Sequence, residues 1–224
     1  MIQSTPPVRV AVPDCLTIPD DERGLLVGQT GTGKTFLARI LIEEKQNLVI
    51  IDPKHDFTPN QEYVVITQAD ELPSAARRNG GKAIVYRPSI QALDIEQMDV
   101  VFQWIFERGN TFTYIDEVTT IIPHAQRYPM YLRAIYTQGR GRKCGILTAT
   151  QRPSGIPLYF STEAGRFWKF FLANEDDQKR MAQYMGNEVL EPPKPAMAHE
   201  VEHSFFFYKT GQRTPAQLYI YKKG

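Results

Sequence analysis

The sequence predicts an α/β fold, a mostly parallel sheet flanked by helices on both faces, and three observations carry that prediction. Short β-branched runs alternate along the chain with longer stretches whose apolar residues recur every three or four positions, the periods of strands and helices. A glycine-rich turn, GQTGTGKT at 28–35, falls between the first such strand and the first such helix. With 224 residues, 42% of them hydrophobic, the chain can bury one sizeable sheet but not comfortably two domains.

Taken in order, residues 1–22 hold Pro6, Pro7, Pro13 and Pro19 among short extended runs, so 1–23 reads as an arm or edge strand and 24–224 as one domain. GLLV (24–27) is an apolar strand, and TFLARILIEE (35–44) has helical periodicity after the turn. NLVIID (47–52), EYVVIT (62–67) and KAIVYRP (82–88) are further strands bounded by turn residues. Ile95, Met98, Phe102, Ile105 and Phe106 mark an amphipathic helix that stops at Gly109. TFTYIDE (111–117) is a strand ending in acids, 129–139 a helix, and GILTAT (145–150) and RFWKFFLA (166–173) buried strands. NEDDQKRMAQYMG (174–186) opens with the Asn and acids favoured at a helix start and closes on glycine. HSFFFYK and QLYIYKK then follow the proline cluster at 191–196 as two last strands.

Charge and composition narrow the function. A net charge of +1 argues against a monomer that coats nucleic acid, although a basic stripe in a ring channel would not register in a whole-chain sum. No apolar run approaches the roughly 18–20 residues of a membrane span, and the N-terminus lacks a secretory pattern, so a cytoplasm-like compartment is expected. Cys15 and Cys144 form no CxxC or Cys/His cluster and read as core thiols.

The chemistry begins at 28–35, a full match to G-x-x-x-x-G-K-[ST]. Gly28, Gly31 and Gly33 let the loop curl so that backbone N–H groups face phosphate oxygens, with Thr30, Thr32 and Phe36 completing the nucleotide-binding stretch. Lys34 is expected at the β- and γ-phosphates of ATP, and Thr35 at Mg²⁺. TYIDE (113–117) delivers Asp116 to the ligand-binding edge of the sheet as the second Mg²⁺ residue, with Glu117 as the base that orients or deprotonates water. Predicted strands between Lys34 and Asp116 leave room for one to insert between the two motif strands, the RecA-like (ASCE) P-loop NTPase arrangement. Gln151, at the end of TATQRPS (148–154), is a candidate γ-phosphate sensor.

In combination, GQTGTGKT, IDPKHD (51–56), TYIDE and GRGRKCGILTATQRPS (139–154) resemble the FtsK–HerA superfamily of DNA-pumping ATPases over about residues 24–186. The compact chain looks most like the genome-packaging ATPases of viruses with internal membranes. The resemblance implies an ATP-driven translocase of double-stranded DNA, assembled as a ring, usually a hexamer. It also implies a trans-acting arginine, for which Arg166 is preferred over Arg142, with Arg140 and Arg152 nearby. A packaging motor of this group would dock on a portal or membrane protein at a virion vertex, or stand in the host cytoplasm. DNA would be held by its phosphates, and ARRNGGK (76–82) and HAQRYP (124–129) are the basic segments available.

The alternatives are a HerA- or conjugation-type motor and a DNA-independent nucleotide switch or kinase; the latter is disfavoured by the absence of NKxD. HEVEH (199–203) matches the zinc motif H-E-x-x-H, but it runs into a strand-like segment, which would set the two histidines roughly 13 Å apart.

Overall fold

The computed structural model describes residues 14–78, 80, 82–122, 124–191, 201–212 and 215–221. Most of the expected N-terminal arm, the proline cluster from 192 onward and His199 and Glu200 of HEVEH therefore lie outside the described residues.

Among the described residues nine strands join in one sheet: β1 (Arg23–Val27), β2 (Leu48–Ile51), β3 (Val64–Ile66), β4 (Ala83–Tyr86), β5 (Thr111–Ile115), β6 (Cys144–Thr150), β7 (Arg166–Lys169), β8 (Val201–Lys209) and β9 (Ala216–Tyr221). Their order is β3-β4-β2-β5-β6-β1-β7-β8-β9. The first seven are parallel, and β8 and β9 close the edge as an antiparallel hairpin. Mostly parallel strands need cover on both faces, and both faces have it. On one side α1 (Lys34–Ile42) packs Leu37, Ala38 and Leu41 against Leu26, Ile50, Tyr114 and Leu147. On the other lie α2 (Leu72–Arg78), α3 (Ile95–Arg108), α4 (Met130–Gln138), α5 (Tyr159–Thr162) and α6 (Glu175–Met185), whose apolar residues meet Leu25, Val49, Ile115 and Phe167.

The expected insertion between the two motif strands is present, but the inserted strand is not one of those lying between Lys34 and Asp116. It is β6, which pairs with β5 through Thr113↔Ile146 and with β1 through Leu25↔Thr148. The chain leaves β5, crosses over through α4 and returns beside it, while β2, β4 and β3 continue outward from the other side of β5. Sequence periodicity carries no information on which of several parallel strands takes a given slot.

The short helix α2 is not evident in the hydrophobic pattern. A capping box formed by Gln68 and Glu71 starts it, and it ends in Arg77 and Arg78. Ala76, Arg77 and Arg78 of the basic segment ARRNGGK are thus the last turn of a helix and not a loop.

Candidate functional site

Strand alternation sets the site. Phe112 and Tyr114 point to the α1 face, so the next residue of that parity, Asp116, points toward the loop that precedes α1. The Tyr114 hydroxyl donates to Asp116 Oδ1 at 2.9 Å and lies beside Thr35, linking the acid to the phosphate loop. Burial raises the Asp116 carboxyl above its ordinary range, a shift that the Tyr114 hydrogen bond opposes.

The phosphate loop is curled as expected. Gly33 has φ 104°, in the left-handed region, and a Cβ there would stand 2.5 Å from the His203 ring, so glycine is required twice over. Lys34 is buried and its Nζ donates to the carbonyls of Gly28 and Gln29, at 2.6 and 2.8 Å. Burial pushes its pKa down, and the carboxylates of Glu117 and Asp116 pull it back up. Thr32 Oγ1 donates to the Gln29 carbonyl at 2.7 Å, and Thr30 Oγ1 donates to Gln151 Oε1 at 3.0 Å. Phe36 is 43% exposed at the start of α1.

Glu117 is buried, with φ 67° and ψ 79°, a left-handed backbone that a glutamate holds only under constraint. Its Oε1 accepts from Thr119 Oγ1 at 2.6 Å and from Thr150 Oγ1 and the Gln151 N–H at 3.3 Å each. Oε2 lies 3.7 Å from Lys54 Nζ and is buried without a hydrogen bond. Lys54 is held there by the turn after β2. The Asp52 carboxylate, fully buried, accepts the backbone N–H groups of Asp56 and Phe57 and pairs with Arg87 at 2.9 Å.

One cleft thus gathers Thr30, Gly31, Gly33, Lys34, Thr35, Phe36, Asp116, Glu117 and Gln151, all singled out from the sequence. It also contains Lys54, Asp56 and His203, which received no role there. The IDPKHD motif was visible without a reason to single out Lys54. His203 was weighed only as half of a zinc motif; it lies on strand β8, and the histidine paired with it is not described.

The two arginines fare differently. Arg166 begins β7, at the edge of the sheet opposite the phosphate loop, and its side chain is only 4% exposed. It donates to the Asp14 carbonyl at 2.7 Å and lies 3.6 Å from the Asp14 carboxylate. In the single chain its guanidinium is therefore engaged by Asp14. Arg142 is exposed, its guanidinium over the Phe106 ring at 4.6 Å. Of the neighbours, Arg152 pairs with the buried Asp177 at 3.1 Å.

No protein-family model matches the chain. In sequence it is 26% identical over 180 residues to the DNA packaging ATPase P9 of Enterobacteria phage PRD1, covering 76% of this chain and 73% of that protein. The chain is similar to viral DNA-packaging ATPases. In fold it resembles the genome packaging NTPase B204 of Sulfolobus turreted icosahedral virus 2 in complex with AMPPCP, with a TM-score of 0.69 and 17% identity, covering 88% of this chain and 97% of that one. VirB4 of Thermoanaerobacter pseudethanolicus is also similar, with a TM-score of 0.61 and 11% identity over 90% of this chain and 89% of that one. The resemblance to the FtsK–HerA superfamily read from the motifs is borne out, and so is the RecA-like P-loop fold.

Proposed function

We propose that this chain is the ATPase of a viral genome-packaging motor, hydrolysing ATP to drive double-stranded DNA into a capsid. The observation that carries the reading is Glu117, a buried carboxylate in the same cleft as the phosphate-loop Lys34, with one oxygen held by Thr119, Thr150 and Gln151 and the other, 3.7 Å from Lys54, without a hydrogen bond. A carboxylate oxygen without a hydrogen-bond donor suits a base for water. The similarity to P9 supports DNA as the load.

The residues fit Mg²⁺ as well as nucleotide. The Thr35 hydroxyl and Asp116 are joined through Tyr114, and these two side chains together with the phosphates would supply the few oxygen ligands that Mg²⁺ takes from a protein. When bound, Mg²⁺ would neutralise charge building on the transferred phosphoryl group. Lys34 would turn from its loop carbonyls to the β- and γ-phosphates, Glu117 would take the water's proton, and Gln151 would sense the γ-phosphate through its contact with Thr30.

A ring, by analogy a hexamer, completes each site with a trans arginine, and Arg142 is the exposed candidate. Its docking partner would be a portal or membrane protein at the packaging vertex. Among the described residues no helix is long and apolar enough to cross a membrane.

Steady-state ATP hydrolysis with and without linear double-stranded DNA, over a salt series, tests the proposal. Stimulation by DNA should fade as salt rises, because phosphate contacts release counterions, and should vanish in Glu117→Gln. Turnover indifferent to DNA in the assembled enzyme would leave an ATPase and remove the motor.

A further inference from the structure

A nucleoside triphosphate is an ordered ligand, with the γ-phosphate at one end and the base at the other. Relative to the phosphate loop that follows β1, every element facing the γ end lies on one side of the sheet. Asp116 and Glu117 follow β5, Gln151 follows β6 and Lys54 follows β2. The strands on the other side of β1 are β7, β8 and β9. If the γ-phosphate meets the acids, the base must point toward β7 and β8.

That end of the cleft is occupied by an aromatic pair. His203 shares the parity of Phe205 and Phe207, which pack in the α1-face core, so its ring projects over the phosphate loop and not into the opposite face. The imidazole lies against Gly33, where even a Cβ would approach to 2.5 Å, and its centroid is 5.9 Å from that of Phe36 at 52°. Phe36 itself leaves a large apolar ring 43% exposed at this edge.

We propose that His203 and Phe36 form the nucleoside subsite, an aromatic cleft that takes the base of a purine nucleotide, so that the C-terminal hairpin and not the parallel half of the sheet reads the base. This inference rests on the nucleotide-site reading above. It places a specificity residue in the segment farthest in sequence from the phosphate loop. The rival location is the groove lined by Phe57, Asn60, Tyr63 and the other side of Phe36, but it lies on the acid side of β1, so His203 is the residue that distinguishes the two.

Binding of ADP and of inorganic tripolyphosphate to the wild-type chain, His203→Ala, Phe36→Ala and His203→Phe separates the possibilities. Loss of base stacking should weaken ADP about tenfold in His203→Ala and leave tripolyphosphate within about twofold. His203→Phe, which keeps a ring, should retain most of the ADP affinity, and Phe36→Ala should show a smaller selective loss. An equal loss for both ligands would make His203 a brace for the loop and overturn the proposal, as would unchanged ADP binding. If the wild type binds neither ligand, the nucleotide-site reading falls instead. Photolabelling of the unmodified protein with 8-azido-ATP needs no variant: label on His203 supports the subsite, and label confined to Phe36 and 57–63, the lining of the rival groove, refutes it.

Discussion

The phosphate loop and the acid end of β5 face each other across one cleft, yet they are built in opposite ways. The loop is the more local: its lysine contacts and the Thr32 hydrogen bond close within residues 28–36, although the Gly28 and Gln29 N–H groups donate to the Thr150 and Phe171 carbonyls and Thr30 to Gln151. The acid end is assembled from afar. Glu117 is held by Thr150 and Gln151, more than thirty residues on, and faces Lys54, more than sixty residues back. Its own backbone is left-handed, whereas the left-handed positions of the loop are glycines. Grip on phosphate can therefore be encoded in eight consecutive residues, while the base for hydrolysis needs the whole sheet to be in register.

The largest effects should split along that line. Glu117→Gln removes the base and should lower kcat by about 10²–10⁴ while nucleotide affinity holds. Lys34→Ala should instead abolish measurable ATP affinity at concentrations that saturate the wild type. Nucleotide binding by equilibrium dialysis, measured beside turnover, distinguishes the two. If Glu117→Gln lost affinity in the same proportion as rate, the two regions would not be separable, and the division drawn here would be wrong.

The same contrast explains what could be read from residues alone. Nine strand segments, the phosphate loop and the Asp-Glu pair are legible because each depends on short-range pattern: a β-branched run, glycines at fixed offsets, acids at a strand end. The slot of β6 between β1 and β5 was assigned to the wrong strands, because slot choice is settled by crossover packing. Lys54, Tyr114 and His203 carry no nucleotide-site signal in the sequence for a related reason. Each becomes part of the site only through a partner far along the chain or on another element, as with Lys54 and Glu117 or His203 and Gly33. The contact of Arg166 with Asp14, 152 residues away, is likewise invisible to local pattern.

An intermediate effect should appear behind the loop. Lys169, the last residue of β7, is 1% exposed, has no hydrogen bond or ion pair among the described residues, and meets the Phe206 ring at 5.7 Å. Burial pushes its pKa from 10.5 down to about 8. Between those values the unfolded chain binds the proton and the folded one releases it, so stability rises with pH from about 8 to 10.5 and is lost as pH falls through about 8. Lys169→Met should stabilise the protein at pH 7 by on the order of 2 kcal/mol and flatten that pH dependence, read by urea unfolding. Because Lys34 and Thr32 make their contacts within the loop, and the strand end reaches it only through backbone such as the Gln29 N–H on the Phe171 carbonyl, nucleotide affinity should stay within about twofold. A larger change would show that the loop depends on the strand behind it.

The smallest effect tests the joint between the two regions. Tyr114 is where they meet, its hydroxyl on Asp116 Oδ1 and beside Thr35. That hydrogen bond stabilises the ionised carboxylate against a burial that raises its pKa, so Tyr114→Phe should raise the Asp116 pKa further. At any pH near the acid limb of activity, less of Asp116 would then be ionised and able to hold Mg²⁺. The acid limb should shift to higher pH, and half-saturating Mg²⁺ measured on that limb should rise by up to about fivefold, the equivalent of one hydrogen bond of about 1 kcal/mol. A Mg²⁺ titration of ATPase activity at several pH values reads both. If the limb stays in place while turnover falls uniformly, Tyr114 is only packing between α1 and β5, and the loop and the acid end communicate through nucleotide alone.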